Sequence, residues 1–214
     1  MLNYDFKVII IIDMVENVDK YELILRASRK LIEEIGFSAL TMDKVAQKAG
    51  IAKGTVYIYF KDKNELLEKV LQQGFERMFE SIKAKVAAEE SCTEKLRVLI
   101  TENINHIYEN RYFFKTVFLD EVNVVFLKKK SQESFNLRRK RYSDFIGEII
   151  KSGIDLGDFR NDLNPKKAGY MLISLIKTNA IYNFLDDKSE LTEEMIKKDS
   201  EEVFNLFFHG ITAK

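Results

Sequence analysis

Hydrophobic residues recur every three or four positions along most of this 214-residue chain, which is the spacing of one face of an α-helix. Strand-like alternation of apolar and polar residues is almost absent, and only one proline and nine glycines interrupt the helical pattern. The pattern therefore predicts an all-α protein with several long helices. The predicted helices span about residues 20–35, 42–49, 53–60, 63–85, 93–110, 112–125, 133–152, 165–185 and 192–210.

Two of the short predicted helices meet at a glycine. Thr41 is a good N-cap, because its hydroxyl can accept a hydrogen bond from the next turn, and Gly50 lies where a sharp turn needs positive φ. In the second helix Val56 and Phe60 point inward, which leaves the opposite face outward. A short helix with an exposed hydroxyl, a small residue and a flanking cation suits the DNA major groove. The pattern predicts a helix-turn-helix, although many all-α proteins join short helices through glycine without binding nucleic acid.

The residues around this turn resemble a known family. The motif A-x-x-A-G ends at Gly50, and K-G-T-V-Y-x-Y-F-K-x-K runs from Lys53 to Lys63, followed closely by Glu-Leu-Leu. Together they resemble the TetR family of transcriptional regulators, and the resemblance extends back through the predicted helix at 20–35. It implies a three-helix DNA-binding domain, a larger helical ligand-binding domain, and a homodimer on a palindromic operator.

Seven residues are candidates for DNA contact. We expect those on the second short helix to meet base edges or nearby phosphates, and those at its flanks to anchor the DNA backbone. The candidates are Lys53, Gly54, Thr55 and Tyr57 on the helix, with Thr41, Tyr59 and Lys63 at its flanks.

The first nineteen residues differ from the rest of the chain. Residues 8–12 are five consecutive β-branched residues, a run too short to cross a membrane, and the segment lacks the features of an export signal. We expect the residues before Met14 to be an extension upstream of a natural translation start at Met14. The alternative is an arm that packs on the larger helical domain or reaches toward DNA. The predicted domains are this extension at 1–19, the DNA-binding domain at 20–63, and the ligand-binding and dimerisation domain at 64–214.

Charge and cysteine content narrow the functional classes. Basic and acidic residues both number 34, so the whole chain is not a general polyanion binder, but residues 20–69 hold ten basic and seven acidic residues. The single cysteine, Cys92, cannot form an intrachain disulfide; we expect an ordinary helix-start residue, with redox sensing as the alternative. His106 and His209 have no close Cys or His companions, and no nucleophile-elbow, P-loop or dinucleotide motif occurs. The sequence therefore predicts no metal, cofactor or enzymatic site.

The predicted second domain is rich in aromatic residues. Most of them are expected to fill the core, but as a set they predict a pocket for an apolar or aromatic small molecule, because such pockets are mainly apolar with a few polar anchors. If Glu121 faces that pocket, it implies a cationic or hydrogen-bonding ligand. The candidate lining residues are Phe75, Phe79, Phe114, Phe118, Tyr142 and Phe145, with Asn105, Glu121, Asn179 and Tyr182 as polar anchors.

Two further surfaces have two interpretations each. The basic residues at 128–130 and 138–141 could form an edge that binds phosphate or coenzyme A, although a charged run is usually the solvated face of a helix. The last two predicted helices carry more apolar surface than one neighbour can cover. They either belong to a monomer core or pair with their copies in a four-helix bundle, and the family resemblance favours a homodimer through these helices.

The residues and the resemblance together predict a cytoplasmic, ligand-responsive DNA-binding regulator. We expect a repressor that a small apolar or aromatic molecule releases from a palindromic operator by moving the helix at 63–85 and changing the spacing of the two recognition helices. The alternatives are a transcriptional activator, or a protein that reuses the fold to bind a partner other than DNA. An enzyme would need convergent acid, base or metal-ligand residues, and the sequence offers none.

Overall fold

The computed structural model describes residues 4–119, 132–185 and 192–212, with the backbone alone for residues 4–19. These parts of the chain form nine α-helices and one isolated antiparallel bridge between Phe159 and Thr212, which confirms the all-α prediction. The helices are α1 (Tyr4–Ile35), α2 (Met42–Ala49), α3 (Lys53–Tyr59), α4 (Lys63–Ala87), α5 (Cys92–Glu109), α6 (Arg111–Leu119), α7 (Gln132–Asp155), α8 (Pro165–Leu185) and α9 (Glu193–Ile211).

The predicted helices occur in the predicted order and differ from the observed ones mainly at their ends. Helix α8 has the predicted bounds, whereas α1 begins at Tyr4 rather than near residue 20. Because residues 4–19 contain neither glycine nor proline, nothing in their sequence ends the helix there. The predicted helix at 112–125 is described only as far as Leu119, and the basic connector at 128–131 lies outside the described residues.

The first hydrophobic core joins helices α1, α2 and α3 to the first turns of α4, and we call this part of the protein the head. It continues past residue 63, the predicted end of the DNA-binding domain, because α4 contributes three buried side chains to it. Its buried members include Ile24, Leu25, Ile32, Phe37, Leu40, Val45, Val56, Phe60, Leu66, Leu67 and Val70.

The second core, which we call the body, surrounds helix α5. Helices α4, α7, α8 and α9 pack around α5, whose Leu96, Leu99 and Ile100 are fully buried. Helices α7 and α8 approach closely at Gly169, where an added Cβ would lie 2.7 Å from the backbone oxygen of Ser143. Glycine is therefore required at that crossing.

Helix α4 belongs to both cores. Leu66 and Val70 near its start are buried in the head, and Phe79 and Ile82 further along are buried in the body. One continuous helix therefore connects the two cores.

Candidate nucleic-acid interface and effector-binding body

Helix α2 is fixed at both ends by the residues that the sequence predicts. The Thr41 hydroxyl accepts a hydrogen bond from the backbone N–H of Lys44 at 3.2 Å, which confirms the N-cap. At the other end Gly50 has a φ of 69°, which confirms the left-handed turn, and the Ile51 N–H donates to the Ala46 carbonyl at 3.1 Å. This turn directs the chain into helix α3.

Helix α3 is anchored by one face and exposes the other. Val56 in the helix and Phe60 just after it are fully buried in the head core. Tyr57 is 48% exposed and Ile58 is 80% exposed. The same outer surface includes the exposed Lys53 and Gly54 and the half-buried Thr55.

Lys53 forms an ion pair at the start of helix α3. Its ammonium lies 2.7 Å from the carboxylate of Asp43 in α2, and both side chains are exposed. The hydrogen bond to Asp43, together with the charge of that carboxylate, raises the pKa of Lys53, so the side chain is cationic at neutral pH. Exposed pairs of this kind are weak. A phosphate oxygen can therefore replace the carboxylate as the partner of Lys53.

Lys63 contacts the loop between helices α1 and α2. Its ammonium lies 3.3–3.5 Å from the backbone oxygens of Phe37, Ser38 and Leu40, and 4.8 Å from the centroid of the Phe37 ring. Although the sequence places Lys63 beside the turn as a candidate phosphate ligand, its ammonium is thus engaged inside the head. In this position Lys63 holds the first turn of α4 to the end of α1.

Tyr59 also packs within the head. Its ring centroid lies 6.2 Å from that of Tyr21 in helix α1, in an edge-to-face arrangement, and its side chain is half-buried. Tyr57, two residues earlier, lies on the outer surface instead. The two tyrosines of the motif therefore have different surroundings.

The start of helix α4 has a variant of the capping box. Asp62 accepts hydrogen bonds from the backbone N–H groups of Asn64 and Glu65, both at 2.9 Å. The carboxylate of Glu65 accepts from the backbone N–H of Lys61 at 2.7 Å, one residue before the N-cap that a standard capping box would use. These bonds fix the angle between α3 and α4.

Helix α6 joins the two cores at a second place. Phe113 is buried in the head core, and Phe114 packs against both cores. The guanidinium of Arg29 in α1 lies 5.4 Å from the centroid of the Phe113 ring and donates a hydrogen bond to the side-chain oxygen of Asn110. Asn110 in turn donates to the His106 carbonyl at 2.6 Å. The head and the body are thus connected through α6 as well as through α4.

Four of the predicted pocket residues form one aromatic cluster between helices α4 and α7. The rings of Phe75 and Phe79 stack with centroids 5.7 Å apart, and Tyr142 meets them edge-on at 6.0 and 5.6 Å. Phe145 lies edge-on to Phe79 at 5.4 Å. The Tyr142 hydroxyl accepts a hydrogen bond from the Asn103 side chain, and burial raises the pKa of Tyr142. Because these rings contact one another here, a ligand in this region would have to separate them.

Three other pocket candidates have different surroundings. Phe114 packs edge-on to His106 with centroids 5.7 Å apart, and Asn105 is half-buried on α5. Tyr182 is 66% exposed on the outer face of helix α8. The side chain of Phe118 and the whole of Glu121 lie outside the described residues.

Asn179 belongs to a polar cluster that links helices α5, α8 and α9. Its side-chain oxygen lies 3.4 Å from the hydroxyl of Tyr108, which donates a hydrogen bond to Asp199. Asn183 donates to both Tyr108 and Asp199, at 2.6 and 2.8 Å. Burial, followed by the hydrogen bond to Asp199, raises the pKa of Tyr108. The cluster satisfies its own polar groups and ties three helices of the body together.

One basic residue of helix α7, Arg141, lies at the rim of the aromatic cluster. Arg141 forms ion pairs with Glu76 at 2.7 Å and Glu80 at 3.0 Å, and its guanidinium lies 4.4 Å from the centroid of the Phe79 ring. Arg138 is half-buried, and burial lowers its pKa. The other predicted basic run, at 128–130, lies outside the described residues.

The outer faces of helices α8 and α9 carry large exposed apolar side chains. Leu206 of α9 is 64% exposed, and Met171, Tyr182 and Leu185 of α8 are more than half exposed. These side chains recur at helical spacing, so they form a stripe along α8 rather than scattered single residues.

The described parts of the chain contain neither a metal-binding cluster nor a membrane-spanning helix. Within the described ranges, no group of three or more His, Cys, Asp or Glu residues could hold a metal ion. Among the helices described, none combines the length and the apolar character that crossing a membrane requires. Cys92 is the first residue of α5 and is buried, which raises the pKa of its thiol and disfavours the reactive thiolate.

Both parts of the chain match sequence models of protein families. Residues 24–70 match the bacterial regulatory proteins of the tetR family, and residues 89–199 match the tetracyclin repressor-like C-terminal domain. The chain belongs to the TetR family. This confirms the resemblance carried by the K-G-T-V-Y-x-Y-F motif, and it makes the chain a DNA-binding, ligand-responsive transcriptional regulator in the general sense of the family.

Individual TetR-family proteins are similar along most of the chain. The fatty acid metabolism regulator protein of Bacillus subtilis is 29% identical over 202 residues, which cover 91% of this chain and 97% of that protein. The crystal structure of FadR from Bacillus subtilis in complex with stearoyl-CoA has a TM-score of 0.72 at 22% identity, covering 89% of this chain and 99% of that one. A transcriptional regulator structure from Saccharomonospora viridis in complex with choline has a TM-score of 0.77 at 20% identity, covering 92% and 100%. At these identities the two structures establish the fold alone.

Sequence reasoning missed two features of this TetR-family chain. Ile58 is strongly exposed on helix α3 but is not among the seven predicted contacts, although its position opposite the inward Val56 is a signal in the sequence. The hydrogen bond between Arg29 and Asn110 joins residues 81 positions apart, and nothing in the local sequence of either residue indicates it.

Proposed function

We propose that this protein is a homodimeric transcriptional repressor that leaves its operator when a fatty acyl chain, carried as its coenzyme A thioester, binds in the body. The repressor role, the effector and the dimer are the parts that go beyond membership of the family. The observation that carries the proposal is the arrangement of helix α3, in which Val56 and Phe60 are buried while Tyr57 is 48% exposed and Thr55 is partly exposed. Helix α3 therefore carries hydroxyl groups that base edges or phosphates could contact if the helix lies in the major groove.

We assign direct contact with operator DNA to Lys53, Gly54, Thr55 and Tyr57, with Thr41 at the backbone. Lys53 would exchange Asp43 for a phosphate, and exposed Gly54 would allow the DNA to approach the helix closely. Tyr59 and Lys63 would act mainly by holding α3 and α4 in place, since both contact α1 or the loop after it.

The identity of the effector is supported by the relatives and by the composition of the body. The Bacillus subtilis relative that aligns with 91% of this chain is named for fatty acid metabolism. An acyl chain needs an apolar lining, which the cluster around Phe79 and Tyr142 would provide on opening. The phosphates of coenzyme A need cations; Arg141 lies at the rim of the same cluster, and Arg138 lies one turn earlier on the same helix.

Release from DNA would follow from the two connections between body and head. An acyl chain that separates Phe75 and Phe79 from Tyr142 displaces the second half of α4, whose first half carries Leu66 and Val70 in the head core. The recognition helices of a dimer would then lose the spacing that a palindromic operator requires. Effector and operator must weaken each other's binding by the same factor.

The dimer is supported by the exposed stripe on helices α8 and α9. Two copies of this face would bury Met171, Tyr182, Leu185 and Leu206 in a four-helix bundle. A two-fold dimer presents two α3 helices to two half-sites, which is the geometry that a palindrome needs.

DNA binding is tested with duplexes selected by the wild-type protein from a random library and with the DNA upstream of its own gene. We expect Tyr57→Ala to weaken binding to the selected duplex by about ten- to a hundredfold, as for the loss of one good groove contact. Tyr112→Ala, which removes a tyrosine exposed to a similar degree on α6, is the matched control and should bind as the wild type does. Unchanged affinity of Tyr57→Ala would show that α3 does not enter the groove.

The effector is tested by titrating the protein–operator complex with stearoyl-CoA, stearate, coenzyme A and choline. We expect stearoyl-CoA to release the DNA and the other three to do so weakly or not at all, because only the thioester has both the acyl chain and the phosphates. Release by choline, or by none of the four, would refute the acyl effector and leave the DNA-binding assignment standing.

The repressor role is tested by transcription from the bound promoter. Transcription should fall when the protein is added and recover when stearoyl-CoA is added. Stimulation of transcription by the protein would indicate an activator.

A further inference from the structure

Ile58 is a large aliphatic side chain left almost completely in solvent at the centre of the proposed DNA-binding surface. It is 80% exposed, more than any other large hydrophobic residue among those the structure describes as exposed. The other strongly exposed apolar side chains of α8 and α9 lie on the face assigned to the dimer. Ile58 lies far from that face in the chain, on a seven-residue helix whose opposite side is anchored by Val56.

The neighbours of Ile58 on helix α3 define what it can contact. Residues three and four positions apart share a helix face, so Ile58 shares one with Thr55 and Gly54. A Cβ added to Gly54 would meet nothing within 4 Å, so the space over that turn is open. Helical side chains lean toward the N-terminus, which places Ile58 over this open space. The surface therefore combines an apolar group, a hydroxyl and a gap that admits close approach.

The chemistry of isoleucine restricts its partner to an apolar group. Unlike Tyr57, Ile58 can neither donate nor accept a hydrogen bond, so it gains nothing from a phosphate or from a base-edge donor. The apolar group that a major groove offers is the C5-methyl of thymine, which lies next to the O4 acceptor on the same base edge. Thr55 carries a hydroxyl that can donate to such an oxygen. The side chain is also stiff at χ1, so little rotamer freedom is lost on contact.

Charge around the helix favours a duplex as the occupant of this surface. Lys44, Lys48, Lys53 and Lys61 are all exposed on or beside α2 and α3. Their phosphate contacts would position the helix without selecting a sequence, so selection must come from side chains that reach the bases.

We infer that Ile58 is a specificity-determining residue that contacts a thymine C5-methyl in each operator half-site. The inference rests on the DNA-binding function proposed above and adds to it one base identity and the atom that is recognised. Thymine is favoured over cytosine at that position because cytosine lacks the methyl group and carries a donor in place of O4.

The experiment removes the methyl group from the DNA and the side chain from the protein. The wild type first selects an operator from random duplexes, and each thymine is then replaced in turn by 2′-deoxyuridine, which lacks only the C5-methyl. We expect one replacement per half-site to weaken wild-type binding by about three- to tenfold, the scale of one lost methyl contact. Ile58→Ala should bind the thymine operator more weakly by a similar factor and should not respond to that replacement. Leu156→Ala removes a leucine that is 72% exposed in the turn after α7, and it should retain both wild-type affinity and the response to deoxyuridine.

Several outcomes would overturn the inference. If no thymine is sensitive to loss of its methyl, or if Ile58→Ala keeps the sensitivity, Ile58 does not contact that group. If Ile58→Ala binds DNA as the wild type does and instead changes the sedimenting mass of the protein, the residue contacts another protein chain. Failure of the wild type to select any duplex would overturn the DNA-binding proposal as well, whereas the first two outcomes leave it intact.

Discussion

Arg29 of helix α1 donates a hydrogen bond to the side chain of Asn110, the single residue between helices α5 and α6. Asn110 is also the C-cap of α5, and its amide group donates to the His106 carbonyl and lies 3.4 Å from the His106 ring nitrogen. The head therefore contacts the joint between α5 and α6 through the side chain of Arg29. Any change in the angle between α5 and α6 must either carry Arg29 with it or break this bond.

Replacing Arg29 should weaken the communication between effector and operator. We expect Arg29→Ala to reduce the factor by which stearoyl-CoA lowers operator affinity by about two- to tenfold, the usual range for a residue along a coupling route. The physical reason is that α6 loses its polar attachment to the head and keeps only the packing of Phe113 and Phe114, so movement of the body is transmitted less well through α6. The measurement is operator affinity by fluorescence anisotropy with and without saturating stearoyl-CoA.

The control for this variant lies one turn earlier on the same helix. Arg26 is exposed, and Arg26→Ala removes the same charge from the head without touching Asn110. Its effector response should equal that of the wild type. If both variants change the response equally, the effect comes from the net charge of the head rather than from the joint.

His106 should make stability depend on mildly acidic pH. Burial and, to a smaller extent, the charge of Arg29 lower the pKa of His106 below its usual 6.5. Between the lowered folded pKa and 6.5 the unfolded chain binds more protons, so stability rises with pH and is fully present above about 6.5. Urea midpoints between pH 5 and 7.5 should therefore fall more steeply toward acid for the wild type than for His106→Gln. Parallel curves for the two proteins would show that His106 titrates normally in the folded state.

Most of the head could be predicted from the sequence because its signals are local. The Thr41 cap, the left-handed Gly50 and the inward Val56 each depend on residues within one or two turns, and the structure confirms all three. The partners of the Lys63 ammonium could not be predicted, because the carbonyls that surround it belong to residues more than twenty positions earlier. Local sequence placed the residue correctly and left its partners undetermined.

The body shows the limits of a prediction from periodicity. Helix α8 was bounded correctly because Pro165 can begin a helix but cannot lie within one. An aromatic residue at helical spacing fits a packed core and a pocket lining equally well. The sequence therefore assigns both Phe79 and Tyr182 to the pocket, whereas Phe79 lies in the aromatic cluster and Tyr182 lies on the surface. Whether such a residue is buried or exposed depends on the face of the helix that carries it, and that in turn depends on which helices pack together.

Two glycine positions should respond in opposite ways to alanine. At Gly54 an added Cβ meets nothing within 4 Å, so Gly54→Ala should raise the free energy of unfolding by about 0.5–1 kcal/mol through helix propensity. The same methyl group would stand between helix α3 and the bases, so operator affinity should fall. At Gly169 the Cβ would lie 2.7 Å from a backbone oxygen, and Gly169→Ala should lower stability by about 1–3 kcal/mol. Chemical denaturation of both variants tests the signs, and a Gly54→Ala protein that binds DNA normally would argue against close approach at that residue.

A charge on the exposed face of helix α9 should dissociate the dimer. Leu206 is 64% exposed in the single chain, so Leu206→Glu should fold normally, but in the proposed four-helix bundle it would bury an unpaired carboxylate at a cost of several kcal/mol. We expect the wild type to sediment as a dimer and Leu206→Glu as a monomer.

Loss of the dimer should also lower operator affinity steeply, because one head alone can occupy only one half-site. Leu156→Glu is the matched control, since it places the same charge at a leucine that is 72% exposed outside the stripe, and it should remain dimeric. If Leu206→Glu sediments with the wild type, the two chains associate through a surface other than the stripe on α8 and α9, and the spacing of the two α3 helices has to be derived from that surface instead.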